Sequence, residues 1–348
     1  MKILIIKFRN IGDVLLSTPL IKNLKLNYPD ASIDFALNKE TKDMIEDNPD
    51  INEVLIYDRK KLKSLPIFKR ALEEWKFLKK IKNKNYDIVI NLTEGDRGAF
   101  YAFVSKASKK VGIPPKKGIF KKVYTHPLPK PWQKHMVEAS LDPIEALGLK
   151  IFEKKLYVFS NEEVKDYKDF IHIHPVSRWL FKCVKDETIA KIIDFLELDL
   201  KQRVILTAAP EKKELNKIKS ILSLCKSSPI NLSGKLSLKE TISLNKKAKL
   251  FIGVDTAIMH IAAANSIPTI AFFGPSSAKN WGPWDNEEQK NSYLKDKGIQ
   301  RSKNHTVIQE DWECVPCHQD GCNGSKISDC LMNLNLEIIK KEIREKLK

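Results

Sequence analysis

Residues 2–8, KILIIKF, are followed by Arg9, by the tetrapeptide NIGD at 10–13, and then by a periodic apolar stretch over residues 14–27. A short and nearly continuous apolar run is typical of a strand buried on both faces, and the 3.6-residue period after it predicts a helix. Gly12 is expected in a tight turn with positive φ, and Asp13 at the N-cap or in the first helical turn. This unit predicts the start of a parallel, doubly wound α/β sheet.

The same alternation of strands and helices continues along the chain and then restarts near residue 170. We therefore predict two Rossmann-like domains, residues 1–160 and 161–333, which face each other across a cleft, and a charged amphipathic helix over residues 334–348. Ligands of such sheets bind at the carboxyl ends of the strands. Further strands are predicted at residues 33–37, 53–57, 87–92, 170–174, 203–208, 250–254 and 269–273, and helices at 65–82, 135–147, 187–198, 211–226, 237–247 and 256–265.

The composition describes a globular protein, since 42% of its 348 residues are hydrophobic and 30% are charged. No early apolar run is long enough for a signal peptide or a membrane span, so we expect a cytoplasmic protein. The net charge is +17, and residues 97–137 contain ten Lys and Arg but no Asp or Glu. This excess reflects either solubility alone or a partner with phosphates or anionic lipid. No zinc-finger or RNP-like motif indicates nucleic acid as the partner.

Residues 174–182, HPVSRWLFK, follow the first predicted strand of the second domain. Ser177, Arg178 and Lys182 bring a hydroxyl, a guanidinium and an ammonium group into one loop. These groups suit a diphosphate, although a solvated basic loop has the same composition.

A second polar segment begins where the strand at residues 250–254 ends. Asp255 and Thr256 lie at the predicted N-terminus of a helix, where free backbone N–H groups and the helix dipole favour anions. His260 lies one turn later on the same face as Thr256. The alternative is a pair of capping residues and an ordinary buried histidine. Downstream lie FFGPS at 272–276 and the tryptophan pair of WGPW at 281–284. A strand that ends in Gly-Pro-Ser beside such a site has the character of a loop that closes over a ligand.

Four motifs occur together and in order: GDV at 12–14, HPVSRWLFK at 174–182, DTAIMHIAAANSIP at 255–268 and FFGPSSAKNWGPW at 272–284. Together they resemble the heptosyltransferase family of bacterial lipopolysaccharide core assembly. NLTEGDR at 91–97 and the GPW ending are similar to its heptosyltransferase III branch. The resemblance spans essentially the whole chain. It implies a GT-B fold and an inverting, metal-independent transfer of heptose from ADP-heptose.

The resemblance also implies the acceptor, the place of reaction and the roles of single residues. The acceptor would be the inner core of lipid A-linked oligosaccharide, at the cytoplasmic face of the inner membrane, with the protein bound peripherally to that anionic surface. Asp13 would be the general base that takes the proton of the acceptor hydroxyl. Donor-binding roles fall on Ser177, Arg178, Lys182, Glu211, Leu236, Asp255, Thr256 and His260, and candidate acceptor-binding residues are Glu94, Asp96, Arg97, Lys116 and Lys117. Pro175 and Val176 replace the small hydroxyl residues of other branches.

Four cysteines, Cys314, Cys317, Cys322 and Cys330, cluster within seventeen positions near the C-terminus. The spacing is compatible with a structural zinc site, or with reduced thiols in a compact loop. Stable disulfides are not expected in the cytoplasm. Transfer itself is expected to need no cofactor.

Other functions remain open at this point. Within the same class, the donor would be another nucleotide sugar, or the acceptor a protein. Outside it, the chain would be a binding module for nucleotide sugars or nucleic acid without catalysis, which the presence of both Asp13 and Lys182 disfavours. A nicotinamide enzyme is disfavoured because no GxGxxG follows the first strand.

Overall fold

A computed structural model describes all 348 residues and confirms the predicted α/β architecture with parallel sheets. The chain divides into two compact units, Met1–Phe159 and Ser160–Lys348. Each unit has its own sheet and its own buried hydrophobic core. None of the helices combines the length and the apolar character that a membrane crossing requires.

The sheet of the first unit has six parallel strands. They are β1 (Lys2–Lys7), β2 (Ser32–Asn38), β3 (Glu53–Tyr57), β4 (Ile88–Asn91), β5 (Lys109–Gly112) and β6 (His126–Pro127). Their order across the sheet is β3-β2-β1-β4-β5-β6. The direction of winding reverses between β1 and β4, so their carboxyl ends form the switch point at which such sheets bind ligands.

The helices of the first unit differ from the prediction, since helices at residues 59–64 and 96–104 were not predicted and the predicted helix at 135–147 is divided in two. They are α1 (Ile11–Leu15), α2 (Thr18–Asn27), α3 (Arg59–Ser64), α4 (Ile67–Asn83), α5 (Asp96–Val104), α6 (Met136–Ser140) and α7 (Asp142–Ala146), with 3₁₀ turns at Lys39–Met44, Ile119–Lys122 and Pro131–Gln133. The helix predicted over residues 14–27 is interrupted at Ser17, whose hydroxyl donates to the Val14 carbonyl at 2.7 Å. The expected positive φ at Gly12 is wrong, because α1 begins before Gly12.

The sheet of the second unit has seven strands and repeats the order of the first. They are β7 (Phe170–His174), β8 (Arg203–Leu206), β9 (Ile230–Asn231), β10 (Leu250–Val254), β11 (Thr269–Phe273), β12 (Gln300–Arg301) and β13 (His305–Gln309). The order is β12-β13-β11-β10-β7-β8-β9, and only β12 is antiparallel to its neighbour. Without β12, the six parallel strands have the same arrangement as β1–β6, with the switch point between β7 and β10.

The C-terminal helix is part of the second unit. Its Ile339 and Ile343 are buried in the same hydrophobic cluster as Ile189 and Ile193 of the first helix of that unit. The helices are α8 (Asp186–Asp194), which continues into a π-helical turn at Phe195–Asp199, α9 (Lys212–Leu224), α10 (Leu238–Asn245), α11 (Ala257–Ala264), α12 (Ala278–Trp281), α13 (Asp329–Met332) and α14 (Leu336–Lys346), with 3₁₀ turns at Leu180–Lys182 and Cys322–Gly324.

Candidate functional site

Polar side chains meet at the carboxyl ends of three adjacent strands, β7, β10 and β11. The loop after β7 carries Ser177 and Lys182, β10 runs directly into Asp255 and Thr256, and Ser276 follows β11. Parallel strands place all their carboxyl ends at one edge of the sheet. The structure therefore brings together residues that are up to 99 positions apart in the sequence.

Lys182 and Asp255 form an ion pair, with 2.5 Å between Nζ and Oδ2, and the Asp255 side chain is only 9% exposed. Burial acts to raise the pKa of Asp255. The charge and hydrogen bond of Lys182, a hydrogen bond from Ser276 and the nearby His260 outweigh that effect, so the pKa lies below its usual value. A buried carboxylate of this kind holds the ammonium group in one position.

Thr256 is the N-cap of α11, and its hydroxyl makes no capping hydrogen bond. The Oγ1 atom is buried and has no hydrogen-bond partner in the protein. The first backbone N–H groups of a helix have no intrahelical acceptor, and the positive end of its dipole lies there. Thr256 and α11 thus offer several donors to an anion beside the Lys182–Asp255 pair.

The loop after β11 is held by Gln309 at the end of β13. The Gln309 Nε2 atom donates to the carbonyls of Gly274 at 2.8 Å and Ser276 at 2.9 Å. The sequence placed Ser276 in a loop expected to close over a ligand, but it did not point to Gln309. Trp284, in the tryptophan pair downstream of this loop, is fully buried and belongs to the core.

The residues proposed for the nucleoside lie at the starts of two helices. Glu211 is the exposed N-cap of α9, and Leu236 is half-buried immediately before Ser237, the N-cap of α10. Glu214, which no sequence motif indicated, is buried and accepts a hydrogen bond from the Ala209 N–H at 3.0 Å. Burial raises the pKa of Glu214. Glu214 therefore holds the loop that follows β8.

A chain of buried hydrogen bonds leads through the second sheet to the end of β7. Asn265 Nδ2 lies 3.0 Å from Asn245 Oδ1, and Asn245 Nδ2 lies 3.0 Å from His172 Nδ1. Thr207 Oγ1 lies 2.7 Å from His172 Nε2 and 2.9 Å from His174 Nδ1. Burial lowers the pKa of His172 to about 3 and the pKa of His174 to about 4. Both histidines are therefore neutral at physiological pH.

A second cluster of charged side chains lies at the switch point of the first unit. Asp13 lies in the first turn of α1, and its Oδ2 accepts hydrogen bonds from the Asn10 backbone at 3.2 Å and side chain at 3.4 Å. Lys7 ends β1, and burial lowers its pKa while the charges of Asp13 and Glu94 act in the opposite direction. The Oε1 atom of Glu94 is buried without a hydrogen-bond partner. Asp13, Lys7 and Glu94 thus share one electrostatic environment.

The turn that carries Glu94 is tied to both central strands. The Thr93 hydroxyl accepts from the Phe8 N–H at 2.8 Å, and Asn91 Oδ1 accepts from the Thr93 N–H at 3.0 Å. Gly98 packs against Asn91, since a Cβ at this position would lie 2.2 Å from the Asn91 side chain. The start of α5 therefore has a defined position beside β4.

A family model described as "Glycosyltransferase family 9 (heptosyltransferase)" matches residues 74–310. The chain belongs to glycosyltransferase family 9. Lipopolysaccharide heptosyltransferase 3 of Escherichia coli strain K12 is 34% identical over 290 residues, which are 78% of this chain and 82% of that protein.

Two solved structures share the fold of this family 9 glycosyltransferase. The glycosyl transferase family 9 protein of Veillonella parvula DSM 2008 superposes with a TM-score of 0.78 at 20% identity, over 99% of this chain and 97% of that chain. The E. coli heptosyltransferase WaaC with ADP gives a TM-score of 0.77 at 19% identity, over 99% of this chain and 100% of that chain. The architecture and family predicted from the motifs are confirmed.

The other residues that were predicted to bind the acceptor are exposed in the glycosyltransferase. Their role in acceptor binding stays a prediction. Asp96 and Arg97 lie in the first turn of α5, where the Arg97 guanidinium lies 5.2 Å from the centre of the Tyr57 ring. Lys116 and Lys117 lie in the loop after β5. Glu94 and Asp13 both lie near enough to Lys7 for their charges to act on it, and no contact joins Asp13 to the two lysines.

The four C-terminal cysteines of the glycosyltransferase are free thiols, of which Cys330 is buried and Cys314 exposed. The Cys322 Sγ atom accepts a hydrogen bond from the Asp329 N–H at 3.4 Å. No group of three or more His, Cys, Asp or Glu side chains is arranged to hold a metal ion. The structure gives no support to a zinc site at Cys314, Cys317, Cys322 and Cys330.

Proposed function

We propose that this family 9 glycosyltransferase transfers heptose from ADP-heptose to the inner core of lipopolysaccharide, a reaction of the heptosyltransferase III type. The observation that carries the proposal is the pair of Lys182 with the buried Asp255, beside the unpartnered Thr256 hydroxyl at the N-terminus of α11. This is a site for a sugar diphosphate. The 34% identity to a lipopolysaccharide heptosyltransferase 3 supports heptose as the sugar, and the ADP in the related WaaC structure supports adenine as the base.

The diphosphate of the donor would be bound by Lys182, Ser177 and Arg178 together with Thr256 and the N–H groups of α11. As the bond between the anomeric carbon and the phosphate oxygen breaks, negative charge develops on the departing ADP. Preorganised donors stabilise such charge without reorganisation at the moment of reaction. Because Asp255 already orients Lys182, the enzyme supplies this stabilisation from its own side chains, and we propose that transfer needs no metal ion.

Asp13 would act as the general base. The acceptor oxygen forms a bond to the anomeric carbon, ADP leaves with the electron pair of the broken bond, and the hydroxyl proton passes to Asp13. A single displacement of this kind inverts the anomeric configuration. Both hydrogen bonds to Asp13 use Oδ2, which leaves Oδ1 for the substrate proton.

The remaining assignments concern the nucleoside, the acceptor and the place of reaction. Glu211 and Leu236 would contact the ribose and adenine, and Asp255 and His260 the donor sugar. Glu94, Asp96, Arg97, Lys116 and Lys117 would bind the acceptor. We propose a cytoplasmic enzyme bound peripherally to the inner membrane, where a lipid A-linked acceptor is found.

Calorimetric titration with ADP and UDP in the presence of EDTA tests the donor site. The wild-type enzyme is expected to bind ADP tightly and UDP weakly, and to transfer heptose from ADP-heptose to core oligosaccharide under the same conditions. Lys182→Ala is expected to lose about tenfold or more in ADP affinity, since a charge-assisted contact to phosphate is removed. Lys185→Ala is the matched control, because Lys185 is an exposed lysine three residues away.

Preferential binding of UDP would contradict the assignment of ADP-heptose as the donor, but not the assignment of the nucleotide-sugar site. Equal ADP affinity in Lys182→Ala and Lys185→Ala would remove Lys182 from the diphosphate site. Loss of transfer in EDTA that Mg²⁺ restores would contradict the metal-independent reaction.

A further inference from the structure

Helix α4 has an apolar stripe that faces away from the core. Phe68, Leu72 and Trp75 follow the i, i+4, i+7 spacing of one helix face, and their exposed fractions are 89%, 50% and 54%. Ile67 beside them is 81% exposed. Contiguous exposed apolar side chains of this size mark interaction surfaces rather than ordinary protein surface.

The other side of α4 already has its partners in the fold. Ile81 is buried, and Phe77 packs on the hydrophobic cluster of the first unit. Glu74 accepts hydrogen bonds from the hydroxyls of Tyr57 at 2.5 Å and Tyr101 at 3.1 Å. The core thus holds α4 in one orientation, and the apolar stripe is left facing outward.

Positive charge surrounds the stripe. Residues 59–84 contain eleven Lys and Arg and only two acidic residues, Glu73 and Glu74. Glu73 pairs with Lys61 and Lys76, and Glu74 faces the tyrosines. Glu53 and Asp34 pair with Lys80 and Lys84 from outside this segment. Seven of the eleven cations lie outside these ion pairs, so the segment keeps a net positive charge.

The same character continues on the neighbouring elements. α4 contacts α5, and α5 contacts the 3₁₀ turn Ile119–Lys122. Phe103 on α5 is 59% exposed and Ile119 is 89% exposed, and their segment, residues 97–137, has no acidic residue. We define the α4 face as this surface, which consists of Ile67, Phe68, Leu72, Trp75, Phe103 and Ile119.

We propose that the α4 face docks the enzyme on an anionic lipid bilayer. Aromatic and aliphatic side chains enter the headgroup region of a bilayer, while surrounding Lys and Arg attract acidic headgroups. The charge of the face is what selects a lipid surface over a protein partner, since α3, α4 and the 3₁₀ turn Ile119–Lys122 all carry an excess of Lys and Arg. The proposal deepens the proposed function, because it rests on an acceptor that is anchored in a membrane.

Co-sedimentation with vesicles tests the docking surface in the full-length protein. Vesicles of phosphatidylcholine alone and of phosphatidylcholine with one part in four of phosphatidylglycerol serve as probes. The wild-type protein is expected to bind the anionic vesicles at least about tenfold more tightly, and to lose this preference at high salt. Binding does not depend on the sugar donor, so it can succeed or fail independently of the proposed reaction.

Two variants separate the apolar and the ionic contributions. Phe68→Ser with Trp75→Ser removes two exposed anchors, and we expect about tenfold weaker binding to anionic vesicles. Lys69→Gln with Lys79→Gln and Lys82→Gln removes three charges. We expect a similar loss of binding to anionic vesicles at low salt, and no difference from the wild type at high salt. Leu294→Ser with Ile327→Ser is the matched control, because both residues are exposed and lie in the second unit. This control is expected to bind like the wild type.

Transfer assays connect docking to function. The Phe68, Trp75 variant is expected to keep the wild-type kcat/KM on delipidated core oligosaccharide and to lose about tenfold on acceptor embedded in anionic vesicles. Wild-type binding by this variant, or equal binding to neutral and anionic vesicles, would overturn the proposal. The proposal would also be overturned if the wild-type protein did not bind either kind of vesicle but self-associated through Phe68 and Trp75. Absence of transfer on both acceptors, with vesicle binding intact, would reject the proposed function alone.

Discussion

Two carboxylates of the enzyme are held in contrasting ways. Asp255 is buried and paired with Lys182, so its charge is already committed within the protein. Asp13 is only half-buried, and its partners in the protein are the two nitrogens of Asn10. A group that exchanges a proton with a substrate needs the second kind of surroundings. This difference supports the proposed orienting role of Asp255 and the proposed base role of Asp13.

Asp13→Asn is expected to lower kcat by about 10²–10⁴-fold with little change in ADP affinity, because general base catalysis contributes this much. Asparagine keeps an oxygen for the Asn10 N–H, so α1 should remain intact. Transfer kinetics and ADP calorimetry on the same preparation measure both quantities. Asp30→Asn, at an exposed acid in the same unit, is the control. Near-normal transfer by Asp13→Asn would remove Asp13 from the mechanism.

At the scale of elements, the contact between β7 and β10 positions the proposed donor site. Gly253 lies in β10 opposite His174, and a Cβ at Gly253 would lie 2.8 Å from the His174 carbonyl oxygen. The close approach of these strands sets the spacing between the loop that carries Lys182 and the start of α11.

Gly253→Ala is expected to cost about 1–3 kcal/mol of unfolding free energy, because the new methyl group has to displace backbone. Separation of β7 from β10 should also weaken ADP binding. Denaturant titration and ADP calorimetry check the two effects. If the variant unfolded at the wild-type denaturant concentration, the strand spacing would not depend on this glycine.

The central strands were predictable from sequence because they are short, apolar runs bounded by polar residues. β3, β7, β10 and β11 have the predicted bounds. β13 was missed because His305, Thr306 and Gln309 are polar yet buried, so the strand carries no apolar signature.

Parts of the site were predictable to the same degree. The motifs after β7 and β10 pointed to Lys182 and Asp255, but not to their direct contact. Ser276 and Gln309 act through contacts between distant segments, which a single sequence does not reveal. Lys7 gave a signal that was overlooked, since a lysine at the end of an otherwise buried strand is costly unless a charge lies nearby.

At the scale of the whole molecule, acid should destabilise the second unit. Burial lowers the pKa of His172 to about 3 and of His174 and His305 to about 4. In the unfolded chain a histidine has a pKa of about 6.5. Between pH 6.5 and 4 the unfolded chain therefore binds more protons than the folded one, so stability is complete above this window and falls as the pH drops through it.

Lowering the pH from 7 to 5 is expected to cost about 2 kcal/mol of unfolding free energy for each buried histidine. Denaturant titrations at the two pH values measure the change. His305→Gln should reduce the pH dependence, and His318→Gln, at an exposed position, should not. Equal unfolding free energies at pH 5 and pH 7 would show that these histidines are not held neutral.

The buried chain from Asn265 to His174 also has a direction. Asn265 donates to the Asn245 carbonyl oxygen, so the Asn245 amide must donate to His172 Nδ1. The His172 proton then resides on Nε2 and is donated to Thr207, whose hydroxyl proton turns toward His174 Nδ1. The preceding hydrogen bond in the chain thus fixes which ring nitrogen of each histidine carries the proton. The neutral ring of His174 consequently carries its proton on Nε2. The Asn245 amide on α10 thus determines that the end of β7 offers a hydrogen-bond donor.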